Sequence, residues 1–199
     1  MGSLLYSGSG LGWGGKINVA EVLRRELARP RWTREHVAMG TNTDPYQRAE
    51  GRYRLMPQVI SALADSRTPF SILTKGTLLS RDLPLLSEVA TRVKVGVSIS
   101  LALLDEELHA TLEPGTPTPR ARLELIRRIR AAGLPFLRYL TDSDAHLDAL
   151  VGQLAAAGAT STSGAALYLR PGTREWFSAC LRRTHPSWST ATKLYGRGA

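Results

Sequence analysis

Phe70-Ser71-Ile72-Leu73-Thr74-Lys75-Gly76, then an apolar-periodic run from Leu83 to Thr91, then Val93-Lys94-Val95-Gly96-Val97-Ser98-Ile99-Ser100, is the stretch that decides the fold. A short β-branched run, a helical period and a second short apolar run make one strand–helix–strand unit, whose strands must lie parallel because the helix carries the chain back. The same alternation extends both ways. Upstream, Val19, Val22, Leu23 and Leu27 recur at helical spacing behind Asn18, an expected N-cap, and the helix should end at Ala28, before Pro30. His36 to Gly40 reads as a buried strand ending in the turn formers Gly40-Thr41-Asn42-Thr43-Asp44-Pro45, and Leu55, Val59, Ile60 and Leu63 mark one helix after it. Downstream, Ala121 to Ala132 is a helix stopped by Gly133 and Leu134 to Leu140 a strand. Leu147 to Ala157 is a helix, Ala165 to Leu169 a short strand and Trp176 to Arg183 a terminal helix.

About five strands and six or more helices are too few for a closed eight-stranded barrel of roughly 250 residues. The expectation is an α/β fold, an open or partial (β/α) barrel over residues 17–199, preceded by a flexible Gly/Ser-rich leader over residues 1–16. In parallel sheets ligands sit at the carboxyl ends of the strands, where loops and helix N-termini converge. The residues there are Thr41, Asn42, Thr43 and Asp44 after the first strand, Lys75 after the second, and Ser98 and Ser100 on the third. Short polar groups with one cation suit a small ligand carrying both an amine and a carboxylate, Asp44 facing the amine and Lys75 the carboxylate. The competing reading is that Thr, Asn and Asp cap the next helix while Lys75 is solvated.

Composition narrows the classes. The chain has 199 residues, 43% hydrophobic, with a formal net charge of +9, so it can bury a real core and should attract phosphate, nucleic acid or another acidic partner. No apolar run approaches the roughly 18 to 20 residues of a membrane span, and the leader lacks the regions of a signal peptide, so a cytoplasmic protein with no membrane partner is expected. The single cysteine, Cys180, excludes a disulfide framework within the chain and any cluster needing three thiolates from it. On a helix, Cys180 reads as a small buried hydrophobe. His36, His109, His146 and His185 show no metal-ligand spacing. Arg24, Arg25 and Arg29, with Arg120, Arg122, Arg127, Arg128 and Arg130, leave open a second class: a non-catalytic basic module for nucleic acid.

The wording of the segments Gly40-Thr41-Asn42-Thr43-Asp44-Pro45-Tyr46-Gln47, Glu50, Ile72-Leu73-Thr74-Lys75, Arg81-Asp82, Val97-Ser98-Ile99-Ser100, and Leu112-Glu113-Pro114 with Pro117 resembles the spore photoproduct lyase-related branch of radical SAM proteins, often labelled DNA repair photolyases. Residues Asn18 to Arg54 and Thr68 to Arg81 resemble an actinobacterial subgroup of it. The resemblance covers about Val19 to Gly133 and resumes more weakly from Leu147 to about Tyr195. It implies a partial (β/α)6 barrel that holds a 4Fe-4S cluster and S-adenosylmethionine at its strand ends and cleaves the latter to a 5′-deoxyadenosyl radical. By position, Thr41 to Asp44, Lys75, Ser98 and Ser100 would line the S-adenosylmethionine site.

Two departures accompany it. Where the family has a CxxxCxxC loop, this chain has Gly8-Ser9-Gly10-Leu11-Gly12-Trp13-Gly14-Gly15, without cysteine, so the cluster is not expected on this chain alone. After Pro135, Phe136 to Leu140 runs straight into Thr141-Asp142-Ser143, where the family has a longer strand and turn that help to bind the adenosine. The expectation is therefore a radical SAM-type barrel lacking its first strand and cluster loop. A fragment whose upstream segment, or another chain, supplies the cysteines ranks ahead of a decayed copy or a recruited binding protein. A barrel without its first strand exposes an edge at Val37 to Gly40, and poor solubility is expected from it.

Overall fold

Along Phe70–Thr74 burial alternates with a period of two: Phe70, Ile72 and Thr74 are buried and Ser71 and Leu73 half-buried. In the computed structural model, which describes residues 18–140, 144–159 and 163–164 and isolated positions at 175, 177, 179, 182 and 183, this segment is the second of five strands. The strands are β1 (Val37–Met39), β2 (Phe70–Thr74), β3 (Val95–Ser100), β4 (Phe136–Leu140) and β5 (Ser163–Gly164). All four pairings are parallel, and spatial order follows chain order, β1-β2-β3-β4-β5. An order without reversal puts same-handed crossovers, and hence their helices, on one face of the sheet. By contact the chain divides into two units, Met1–Ala165 and Ala166–Ala199; in the second, the described positions between 175 and 183 are helical.

The helices are α1 (Val19–Leu27), α2 (Arg48–Tyr53), α3 (Leu55–Asp65), α4 (Leu83–Ala90), α5 (Glu106–Leu112), α6 (Pro119–Ala131) and α7 (Asp144–Ala156), with a 3-10 helix over Thr77–Asp82. Val97 and Ile99 of β3 join Phe70 and Ile72 in a continuous core with Ile60 and Leu63 of α3, Leu86 and Val89 of α4, and Ile126 and Ile129 of α6. Each of these is 0% exposed, so each contributes about 1.5–3 kcal/mol of hydrophobic stabilisation. The opposite face of β2 and β3 carries Ser71, Leu73, Gly96, Ser98 and Ser100, all but Leu73 small, with Ser98 buried and the others half-buried.

The strand–helix alternation follows the sequence reading closely, with three differences. Helix α3 covers the helix expected over Leu55 to Leu63, but α2 has no counterpart in the reading; Arg54, in a left-handed conformation (φ 49°), separates the two. Helix α5 has no counterpart in the reading; it starts where the Asp105 carboxylate accepts from Leu108 N at 2.8 Å. Asn18 precedes α1 without making a side-chain cap. The expected leader, the strand over Ala165 to Leu169, Trp176 and Cys180 lie outside the described residues. Among the described residues no helix is long and apolar enough to cross a membrane. β1 is an edge strand there, pairing only with β2.

Two glycines let the loop after β1 settle on the end of β2. Gly40 has φ +96°, and a Cβ on it would lie 1.9 Å from the Leu73 carbonyl oxygen. A Cβ on Gly76 would lie 2.5 Å from the Tyr46 carbonyl oxygen. Gly40→Ala combines an unfavourable φ with a backbone collision, and should cost upwards of about 2 kcal/mol in urea unfolding. A loss under about 0.5 kcal/mol would contradict this close approach.

Candidate functional site

At the carboxyl ends of β1 and β2 the Asp44 carboxylate ties the two strands together. Its Oδ1 accepts from Tyr46 N (2.8 Å) and Thr74 Oγ1 (2.6 Å), and its Oδ2 from Lys75 N (2.7 Å). Thr74 Oγ1 in turn accepts from Gly76 N at 2.8 Å, and Gln47 Nε2 donates to the Asp44 carbonyl at 3.1 Å. Of roughly four lone-pair positions on a carboxylate, three are taken by the fold. Asp44 thus frames the loop, a role nearer to the turn-forming reading than to direct contact with an amine. Thr41, Asn42 and Thr43, just before it, are exposed, and their side chains make no hydrogen bond among the described residues.

A buried charge network braces the same loop from the helix side. Glu50, 4% exposed, accepts from Leu55 N (2.9 Å) and Met56 N (3.1 Å), satisfying the N-terminus of α3, and pairs with Arg81 at 2.6 Å. Arg81 also grips Asp82 through Nε (2.7 Å) and Nη2 (2.8 Å), and Tyr46 donates its hydroxyl to Asp82 Oδ2 at 2.9 Å. Burial, then the Asp82 charge, push the Tyr46 phenol far up from its ordinary value, so it remains a donor.

Lys75 leads into a second network. Its ammonium pairs with Glu113 Oε1, while Glu113 Oε2 receives Arg122 Nη2 at 2.6 Å. Arg122 is 0% exposed: Nε donates to the Pro117 carbonyl (2.9 Å), Nη1 to the Ser100 carbonyl (3.0 Å), and Nη2 also to Thr116 Oγ1 (2.7 Å) and His109 Nε2 (3.1 Å). Burial raises the Glu113 carboxyl, but hydrogen bonds and charge from Lys75 and Arg122 outweigh it and hold Glu113 below its ordinary value. Burial, with Arg122 beside it, keeps His109 below its ordinary value and therefore neutral. Arg122 is thus withdrawn from the basic cluster of the sequence, whereas Arg120, Arg127, Arg128 and Arg130 are exposed, Arg127 and Arg128 pairing with Glu124.

Ser98 and Ser100 sit on the face of β3 opposite Val97 and Ile99. Leu73 pairs with Ser98 and Thr74 with Ile99, so continuing the register sets Lys75 level with Ser100. Ser98 is only 7% exposed, yet its hydroxyl has no hydrogen-bond partner among the described residues. A buried hydroxyl without a partner costs about 1–3 kcal/mol, so it marks a position where a ligand's polar group is welcome. The free groups of Thr41, Asn42, Thr43 and Ser98, and two of the three Lys75 ammonium donors, suit the amino-acid portion of a ligand. Nothing present suits a 4Fe-4S cluster: the chain has one cysteine, and the described residues contain no group of three His, Cys, Asp or Glu able to hold a metal. A groove of about 480 Å³ lined by Leu78, Arg81, Glu124 and Arg128, among others, contains none of these strand-end residues. Glu113, Arg122 and His109 escaped the sequence reading as site residues because a lone Glu after a helix and an Arg within one look like solvated surface.

No family model matches the chain. It is 61% identical over 191 residues to uncharacterised proteins of Mycobacterium tuberculosis and Mycobacterium bovis, covering 92% of this chain and 56% of each relative. A protein of Acidianus two-tailed virus is 32% identical over 117 residues, 59% of this chain and 37% of that one. The chain thus spans about half the length of the curated relatives it matches most fully. Among solved structures it is similar to SuiB of Streptococcus suis bound to S-adenosylmethionine, with TM-score 0.56 and 17% identity over 81% of this chain and 37% of that one. The same TM-score and identity are found with SuiB bound to the precursor peptide SuiA, over 80% of this chain and 36% of that one. The likeness establishes a shared α/β fold.

The networks make two predictions. Asp44→Ala strands a buried hydroxyl and two backbone amides, and should lower stability in urea by about 2–3 kcal/mol, against under about 0.5 for Thr43→Ala; equal effects would remove Asp44 from its bridging role. Both His109 and Glu113 are held below their ordinary values of 6.5 and 4.5, so the unfolded chain takes up protons before the folded one does. Stability should therefore fall with acidification, from about pH 6.5 downward through His109 and from about pH 4.5 downward through Glu113. His109→Gln should flatten the denaturation profile between pH 7.5 and 5, and an unchanged slope would contradict the assignment.

Proposed function

We propose that this chain is part of a radical SAM protein of the spore photoproduct lyase-related branch, and that the carboxyl ends of β1, β2 and β3 bind S-adenosylmethionine. The observation that carries the reading is the orphaned, buried Ser98 hydroxyl on β3, near the ligand-binding end of a parallel sheet whose neighbouring strand ends at Lys75. Support comes from the likeness to SuiB, a radical SAM enzyme whose structure holds S-adenosylmethionine, and from the sequential strand order, which suits a partial barrel. The fit is chemical: Lys75 takes the carboxylate, and Thr41, Asn42, Thr43, Ser98 and Ser100 offer hydroxyl and amide groups to the amine and ribose. Asp44 holds the first loop to the end of β2. S-adenosylmethionine supplies an activated 5′-deoxyadenosyl group when bound. Because a cluster does not fit the residues present, its thiolates belong to an upstream segment or to another chain, and binding and orienting S-adenosylmethionine is the activity assigned to this one. A cytoplasmic location accompanies the proposal.

Isothermal titration of the chain with S-adenosylmethionine at physiological salt should give saturable one-to-one binding. Lys75→Ala and Ser98→Val should each weaken it about tenfold or more, from loss of a charge-assisted and a buried hydrogen bond. No saturable binding, accompanied by steeply salt-dependent binding of duplex DNA through the exposed Arg120, Arg127, Arg128 and Arg130, would replace this reading with a nucleic-acid-binding module.

A further inference from the structure

Lys75 is a flexible four-carbon cation at the end of a strand, and an unrestrained ammonium there would sample many positions at an entropic cost on binding. It is restrained. Glu113, immediately after α5, takes one of its three N–H donors, and the Lys75 side chain is 38% exposed against 14% for Glu113. The other carboxylate oxygen is fixed by Arg122, and Arg122 is fixed in turn by the Ser100 carbonyl at 3.0 Å, the Pro117 carbonyl at 2.9 Å and Thr116 Oγ1 at 2.7 Å. The chain of contacts runs from the end of β3, through a guanidinium with no exposed surface, to the ammonium at the end of β2. A buried cation needs an anion, and one Glu113 oxygen satisfies Arg122 while the other is free to aim Lys75.

We infer that Glu113, braced by Arg122, is a positioning residue: it holds the Lys75 ammonium in one place at the end of β2, two donors open, so that the site selects ligands carrying one carboxylate. The inference rests on the S-adenosylmethionine reading for its ligand, and on the Lys75–Glu113–Arg122 geometry for its mechanism. Glu113 touches no ligand in this account. Its partial neutralisation of Lys75 also leaves the site suited to one negative charge more than to the several of a nucleotide phosphate chain, since the net charge of the three groups is +1 with Arg122 out of reach.

The test is a double-mutant cycle on the full chain, with S-adenosylmethionine and 5′-methylthioadenosine, which lacks the amino and carboxylate groups, as probes. Glu113→Gln keeps an acceptor for Arg122 and should weaken S-adenosylmethionine about five- to tenfold while leaving methylthioadenosine unchanged. In a Lys75→Met background the same change should have no further effect, because Glu113 acts through Lys75. Multiplying losses, or equal loss of both probes, would overturn the inference in favour of a structural role. A second measurement needs neither variant nor S-adenosylmethionine: amine acylation followed by mass spectrometry should modify Lys75 several-fold more slowly than the exposed Lys94. Equal rates would show that Glu113 does not hold Lys75, even if the variants fail to fold. Absence of S-adenosylmethionine binding by the wild-type chain, with Lys75 still protected, would instead count against the ligand assignment and leave the clamp standing without a selected ligand.

Discussion

One carboxylate, Asp44, holds the end of the first strand to the end of the second. It accepts at once from the amide of its own turn, from the Thr74 hydroxyl and from the Lys75 amide, at 2.6 to 2.8 Å. Remove it and the loop over residues 41–44 loses its tie to the end of β2. The close approach is possible only because Gly40 and Gly76 present no Cβ to the opposing backbone. The strand-end region is in this sense a tied structure, whose polar groups divide into those that hold the loop and those that remain available.

Two buried networks then fix what the tie positions. Glu50, Arg81, Asp82 and Tyr46 lock the first loop to the 3-10 helix, and Glu113, Arg122, Thr116 and His109 lock the segment after α5 to the end of β3. Such networks seldom add net stability over a well-packed apolar core, but a half-satisfied one is costly, so they define a single arrangement. They are concentrated at the carboxyl ends of the strands, where a site needs rigid placement, while the apolar core of Phe70, Ile72, Val97 and Ile99 supplies the stability on the helix-bearing face. Ser98 stands out against this background as a buried hydroxyl that no network has claimed.

Much of this was legible beforehand. The short apolar runs at Phe70–Thr74 and Val93–Ile99, alternating with the helical period of α4 and α6, gave the parallel sheet, and strand ends followed as the place to look. The short helix α2 over Arg48–Tyr53 was not legible, because it carries no apolar period, and α5 was hidden by its short length and mixed residues. The polar residues at the strand ends were foreseen as a group, but their division of labour was not. Whether an Asp frames a loop or faces a ligand depends on which backbone amides lie within 3 Å, and that is decided by tertiary approach. Likewise, Arg122 reads as one more basic residue of an arginine-rich helix until burial places it against Glu113.

We propose that the groups left over by these ties bind S-adenosylmethionine. Amide proton–nitrogen correlation spectra of the labelled chain, recorded while S-adenosylmethionine is added, test it most directly. Binding at the strand ends should give shifts clustered at Thr41, Asn42, Thr43, Lys75, Ser98 and Ser100, saturating together. Shifts absent there, or confined to the exposed arginines of α1 and α6, would contradict it.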